Sequence, residues 1–369
     1  MSGYEKIFKE LDEWITSRNY IGIDPYDIRG HPTLIKMQSY AALKKIAYFA
    51  PDFMPNVLIK TLGIKGTENS KALALMITAY SNMHKGKNDE KLKSLIERLE
   101  KQQDKKTCGW GYPFDWQSKK FTPKGTPSGV VTSFVVHSLV QANSILKDKT
   151  TERLIKSSAR LFEELNEKEF NDGIMLSYTP IDNNFVYNAN ILSAYSLIQI
   201  SKFKKDKKLK EKAEKMITAF IKGQKEDGSW AYGTTRARVD PVHTAFNIEF
   251  LYRVDNKNKQ IRNSIEKGLE YYKKNLIQEN AIPKRSKKKT PVDIHACATG
   301  ITMAATIGEK ELATNILDWT IKNMRNKDGT FQYRKYPLIK NKYPFMRWGQ
   351  VWMARAISEY LYQFGGKSE

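Results

Sequence analysis

Sulfur and imidazole are scarce in this chain. Its 369 residues include two cysteines and five histidines. Cys108 and Cys297 provide no disulfide framework and fit a reducing compartment. Acidic side chains are outnumbered, with 40 Asp and Glu against 62 Lys and Arg, a formal charge of +22. Such an excess has two readings: solvated lysine-rich helix faces, or a polyanionic partner such as nucleic acid, an anionic lipid surface or an acidic glycan. No groove-reading motif is evident, so nucleic acid is not an expected partner. No uninterrupted run of about 18 apolar residues occurs, which argues against a membrane span. The first segment, MSGYEKIFKELDEW, mixes acids and bases on an amphipathic pattern and lacks the apolar core of a signal peptide. A cytoplasmic location is therefore the expectation.

The chain does possess an internal repeat. Its clearest copy is Gln224 to Tyr252, QKEDGSWAYGTTRARVDPVHTAFNIEFLY. A turn (Glu226, Asp227, Gly228) leads to an aromatic pair (Trp230, Tyr232), a basic loop (Arg236, Arg238), a helix start (Asp240, Pro241) and an apolar run. Similar units recur with a period of roughly 50 residues, in the range of stacked helix-pair repeats. Each unit joins a charged amphipathic helix to one that is apolar nearly all round, such as SGVVTSFVVHSLVQANSIL at 128–146. A helix apolar all round has to be buried. One set therefore forms an inner ring and the other an outer ring. Connections from inner to outer are short, as at Lys204–Lys208 and Asp255–Lys259, whereas those from outer to inner are long and elaborate. The expected fold is all-α: an α/α toroid of roughly six or seven helix pairs in a single domain spanning 1–369, with the long loops at one mouth.

QKEDGSW fits the Gln-x-x-x-Gly-x-Trp motif of the prenyltransferase and squalene-cyclase repeat through Gln224, Gly228 and Trp230. NKDGTFQY, Asn326 to Tyr333, is a degenerate copy, and EFNDGIMLSY, Glu169 to Tyr178, is a weaker one. The resemblance implies the same α/α toroid. GIDPYD (Gly22 to Asp27), GWGYPFDWQ (Gly109 to Gln117) and DGSWAYG together resemble an uncharacterised family found among bacterial and archaeal surface-polysaccharide biosynthesis proteins. That likeness covers most of the chain and implies a context, not a reaction. The Asp-x-Asp-Asp acid motif of squalene-type cyclases is absent, and so is the Cys-His-Gly zinc motif of lanthionine cyclases. The zinc site of protein prenyltransferases uses Asp, Cys and His; here Asp293, His295 and Cys297 lie two apart, and such residues face apart on a helix. No metal and no cofactor is expected.

Several side chains stand out. GWGYPFDWQ packs four aromatics and an acid into nine residues, more than a turn needs. Aromatic faces and a carboxylate suit sugar rings, so Trp110, Tyr112 and Trp116, with Tyr178 and Trp348, are candidate substrate contacts and Asp115 a candidate catalytic acid or base. His243 and His295 occupy matched positions just inside inner helices, each with a nearby acid, Asp240 or Asp293. Such a pair can serve as general acid and base. His137, deeper in its helix, reads as packing. Basic residues concentrate in the outer-to-inner loops: Lys119, Lys120 and Lys124, Arg236 and Arg238, Lys284 to Lys289, Arg334 and Arg347. The N-termini of the inner helices, with their partial positive charge, point to the same mouth. Arg236, Arg238 and Arg347 are accordingly candidate anion contacts.

The reading that best joins these features is an enzyme acting on an acidic or lipid-linked glycan in surface-polysaccharide biosynthesis, of lyase, epimerase or hydrolase type, with association to a membrane surface open. An isoprenoid-processing enzyme would instead need a deep apolar lumen. A non-catalytic helical scaffold would need neither.

Overall fold

The computed structural model describes residues 3–84, 86, 88–117, 121–278, 282–284 and 291–365. Lys119, Lys120 and the basic residues among 285–290 lie outside the described residues. Six helices, Ser70–Asn82, Gly129–Leu146, Tyr187–Lys204, Pro241–Asp255, Ile294–Thr306 and Trp352–Phe364, pack side by side in chain order, and the last packs on the first. The inner ring is thus closed, with six members. Around it run Asp89–Gln102, the pair Lys149–Ser157 and Ala159–Glu164 broken at Ser158, then Lys207–Lys222, Lys259–Tyr271, Lys310–Met324 and the first helix, Gly3–Thr16, which packs on Trp352–Phe364.

Residue pattern dictates which ring each helix joins. Ser70 to Tyr80 is buried without interruption. Asp89–Gln102 buries only Leu92, Leu95, Ile96 and Leu99, one stripe at three- and four-residue spacing. Gly129–Leu146 is long and apolar enough to cross a membrane by length and composition, although polar residues interrupt it, but it is an inner helix and mostly buried in the ring. The short turns at one end use left-handed residues, Lys147 (φ 49°) and Lys205 (φ 54°), as helix stops. The other end holds the long loops and several small antiparallel hairpins, including Trp116–Gln117 with Phe121–Thr122 and a three-stranded piece made of Val292–Asp293, Arg334–Lys335 and Lys340–Asn341.

The inner helices start at this mouth, four of them under a side-chain cap. Asn69 Oδ1 accepts from Lys71 N (3.0 Å), Ser128 Oγ from Val131 N (3.2 Å), Asp240 Oδ1 from His243 N (3.1 Å) and Asp293 Oδ1 from His295 N (3.0 Å). The repeat's Asp-Gly turns place glycine at positive φ, 84° at Gly228 and 85° at Gly329. A Cβ at Gly228 would stand 2.3 Å from the Lys267 carbonyl oxygen, so close approach as well as φ demands glycine there.

The tryptophan after such a turn is structural. Trp230 stacks on Phe220 at 5.1 Å and donates its indole N–H to Phe220 O at 3.2 Å. Trp110 has the same role: fully buried, it donates to Leu99 O at 2.7 Å. The expectation that Trp110 contacts a ligand is therefore corrected. It is a wedge between an outer helix and its neighbours, and it does not reach the mouth cavity.

Between Gly3–Thr16 and Ser70–Asn82 the chain forms four short helices, Pro25–Arg29, Pro32–Gln38, Ala41–Phe53 and Pro55–Thr61, which border the mouth. The sequence pattern at 33–48 reads as one helix, but the chain breaks at Ser39–Tyr40.

Candidate functional site

A cavity of about 400 Å³ opens at the mouth, lined by residues from the long loops and the first turns of the inner helices. On one side the aromatic rings form a staircase. Tyr112 stacks on Phe114 (5.0 Å, 14° between planes), and Phe114 stacks on Tyr26 (5.4 Å, 16°). Trp116 meets Tyr178 edge-on at 5.5 Å. Burial pushes the Tyr112 and Tyr178 hydroxyls up, so both stay neutral.

The two histidines of matched sequence position both line this cavity, but their surroundings differ. His243 Nδ1 lies 2.7 and 2.8 Å from the two oxygens of Asp240, and its ring stands edge-on to Tyr232 at 4.7 Å. Asp240 also pairs with Arg238 at 3.0 Å. Although burial alone would raise it, the carboxyl of Asp240 is held well below the usual carboxylate range by His243 and Arg238. His295 has no such acid. Asp293 accepts the backbone N–H of His295, the indole N–H of Trp348 (2.9 Å) and Arg334 Nε (2.8 Å). The expected Asp293–His295 side-chain pair is thus corrected: Asp293 is a cap and an anchor, committed on both oxygens. Among the described residues neither ring nitrogen of His295 meets a hydrogen-bond partner. The ring is packed by Trp348 at 4.5 Å and Trp352 at 4.7 Å. Burial, helped by Lys71, Arg347 and His243, drives its pKa well below the ordinary histidine value. It is a neutral imidazole at the cavity wall, its nitrogens covered by their neighbours.

Lys71 is the residue that sequence reasoning missed. It is 2% exposed and lines the cavity. Its ammonium position lies over Phe134 at 4.0 Å, with Trp352 at 5.3 Å and Phe246 at 5.5 Å. Burial first, then Arg347 and Arg355, push its pKa well below that of an ordinary lysine. A signal was present: Lys71 stands two residues after the cap Asn69, as His295 stands two after Asp293.

Of the expected anion contacts, Arg236 and Arg238 flank Tyr232 at 5.8 and 5.1 Å on the rim. Arg347 is buried and ion-paired with Asp24 at 2.5 Å, and it covers the Tyr112 ring at 5.2 Å. Beside this pair, burial and the charge of Asp24 push Asp27 up to about 7. Asp115 lines the cavity and accepts Lys124 N at 2.7 Å. Cys297 also lies in the core, its thiol pushed up to about 12 by burial. Below the cavity, Phe134 meets Phe246, Phe250 and Trp352 at 5.4 to 5.6 Å, so interlocked rings occupy the lumen that an isoprenoid chain would need.

Neither a protein-family model nor a curated protein matches the chain. Solved structures do. A sugar epimerase from a ruminal bacterium superposes with a TM-score of 0.62 at 12% identity, covering 83% of this chain and 91% of that one. Cellobiose 2-epimerase from Bacillus thermoamylovorans gives 0.61 at 11% identity, over 80% and 87%. An unsaturated glucuronyl hydrolase specific for heparin gives 0.60 at 11% identity, over 81% and 88%. At such identities the likeness establishes the α/α toroid and nothing finer.

Proposed function

We propose that this chain is a carbohydrate-active enzyme that moves a proton at a carbon atom of an acidic sugar, in the manner of an epimerase or a lyase. The observation that carries the reading is the cavity's unequal histidine pair. His295 is neutral and free at both ring nitrogens, while His243 is fixed by Asp240. In a uronic acid the carbon next to the carboxylate is the acidic one. Arg347 holds positive charge near His295 and would stabilise the enolate-like anion that deprotonation forms, and Lys71 lies beside it, where an entering carboxylate would favour its charged form. His295 takes the proton. His243, its ring held by Asp240, is the acid of the scheme: it returns a proton to the opposite face in an epimerase, or in a lyase to the departing glycosidic oxygen as its C–O bond breaks and a ring C=C bond forms. Tyr112, Trp116, Tyr178 and Trp348 offer flat faces to the sugar ring, and Arg236 and Arg238 meet further acidic residues at the rim. Asp240 and Asp293, committed to ion pairs, disfavour hydrolysis by paired carboxylates. Asp115, without an ion-pair partner among the described residues, keeps a hydrolase as the second reading. The setting in surface-polysaccharide assembly rests on the motif resemblance through GIDPYD and GWGYPFDWQ, and the cytoplasmic location on the first segment and the two cysteines.

The test is binding by thermal shift against uronic-acid oligosaccharides, nucleotide sugars and prenyl diphosphates, then proton NMR of the ligand that binds, in deuterated buffer. Loss of one sugar C–H signal with the enzyme present is the expected result. Arg236→Ala with Arg238→Ala should weaken acidic-sugar binding about tenfold, an effect that salt reduces. Binding unchanged in that double variant, or stabilisation by a prenyl diphosphate alone, would overturn the reading.

A further inference from the structure

The helix Ala41–Phe53 buries only Ala47, Pro51 and Asp52. Its outward stripe is apolar: Leu43, Ile46, Phe49 and Phe53 follow one another at three- and four-residue spacing and are 37 to 58% exposed. Met54 and Val57, at the start of the next helix, continue the stripe at 50 and 55%. The Arg334–Asn341 hairpin extends the patch. Tyr336 packs on Phe53 at 5.2 Å, and the hairpin's tip presents Leu338 and Ile339, 97 and 53% exposed. Single exposed apolar side chains need no explanation, but a contiguous patch does.

Its charge says what covers it. Between Lys36 and Lys65 the chain holds five lysines, Lys36, Lys44, Lys45, Lys60 and Lys65, and one acid, Asp52. That acid is buried between Arg29 (2.7 Å) and Arg334 (2.8 Å). The accessible face is therefore apolar and basic with no exposed acid. A second copy meeting it across a two-fold axis would set lysine against lysine. Anionic headgroups over an acyl boundary satisfy both features at once.

We propose that this face docks on the surface of an anionic membrane. Tyr48 on the same helix lines the cavity, so the docked protein holds its mouth beside the bilayer. Where the proposed sugar chemistry holds, a glycan carried on a lipid would enter from there.

The test is cosedimentation of the full chain with vesicles of phosphatidylcholine alone and of phosphatidylcholine with phosphatidylglycerol. Binding to the anionic vesicles is expected to be about tenfold tighter and to weaken with salt. Ile46→Asp with Phe49→Asp should abolish it, Leu338→Asp should weaken it, and Lys44→Glu with Lys45→Glu should remove the preference for phosphatidylglycerol. Unchanged circular dichroism would show the variants folded. No binding to anionic vesicles, binding that survives all three changes, or a lipid-free dimer that Ile46→Asp with Phe49→Asp dissolves would each overturn the proposal. Vesicle binding needs no turnover, so it stands or falls apart from the sugar chemistry.

Discussion

The two ends of the ring's interior use the same kinds of side chain to opposite effect. At the end with short turns, Glu249 and Glu359 are buried with Arg253 and Arg355. Arg253 bridges the two acids at 3.0 and 3.1 Å, and Arg355 pairs with Glu249. Thr306 joins the cluster, and His137 takes the hydroxyl of Tyr195 at 2.9 Å. Two negative charges meet two positive ones. At the mouth, Lys71 lies in an aromatic box with no bonded carboxylate among the described residues, and His295 keeps both nitrogens free. Burial depresses the pKa of His137 and His295 alike, so low basicity alone does not separate them. The opening does: a buried base with nothing to bond is costly unless a ligand completes it. Among the described residues both ends keep buried atoms without a partner, Glu249 Oε2, Arg355 Nε and Nη1 and His137 Nε2 at one and the His295 nitrogens at the other, but only the mouth adjoins a cavity that something could enter.

That contrast can be broken by experiment. The largest effect is expected for His295→Ala, which should lower kcat about 10²–10⁴-fold on the sugar that the binding screen selects while leaving thermal stability nearly unchanged. An equal loss of stability would make His295 a packing residue like His137. Glu249→Ala should do the reverse. Removing the acid strands Arg355 in the core and should cost about 3–5 kcal/mol in urea unfolding, with ligand affinity intact in the folded fraction. Lys71→Met sharpens the comparison with a smaller effect. The folded lysine has a depressed pKa, so its cost to stability is present below the pKa of the unfolded side chain, about 10.4, and vanishes above it. The variant should therefore be more stable than the parent by on the order of 1–4 kcal/mol at pH 7, converging as pH rises past about 10, and should lose acidic-sugar turnover. Melting curves taken across that pH range decide it.

Most of the architecture was legible in the chain because both of its signals are local. Helix period and loop length are read within one repeat, and they gave two rings and a single decorated mouth. The count of six and the closure of the ring depend on how the first and last helices meet, which no single repeat encodes. At the site, matched positions identified His243 and His295, and Asp240 sits against His243 as its cap position implies. Asp293 shares that cap position, yet its side chain is claimed by Trp348 and Arg334, 55 and 41 residues away. Trp110 misled because its motif is crowded with aromatics: Tyr112 and Trp116 face the cavity, while their neighbour faces the core. Lys71 escaped notice because its one signal, a place two residues after the cap Asn69, is slight beside an apolar helix. Only the surrounding Phe134, Phe246 and Trp352, from three other helices, give it meaning.

The seam where Gly3–Thr16 meets Trp352–Phe364 bears on how the molecule is made. Tyr4 donates to Asp318 at 2.5 Å and packs edge-on against Tyr360, and Arg325 pairs with Glu10, contacts spanning more than 300 residues. On the ribosome the first helix emerges roughly tens of seconds before Trp352–Phe364 exists, although Asp12 meets Tyr80 and Lys91 sooner. Until then the groove for its apolar stripe of Phe8, Leu11 and Ile15 lacks one wall. The nascent protein is an open arc with two unsatisfied edges, and a neighbouring nascent arc could supply the missing edge. Closure joins residues more than 300 apart, the kind of contact that forms late, and the seam is where hydrogen exchange should first report opening in the finished ring.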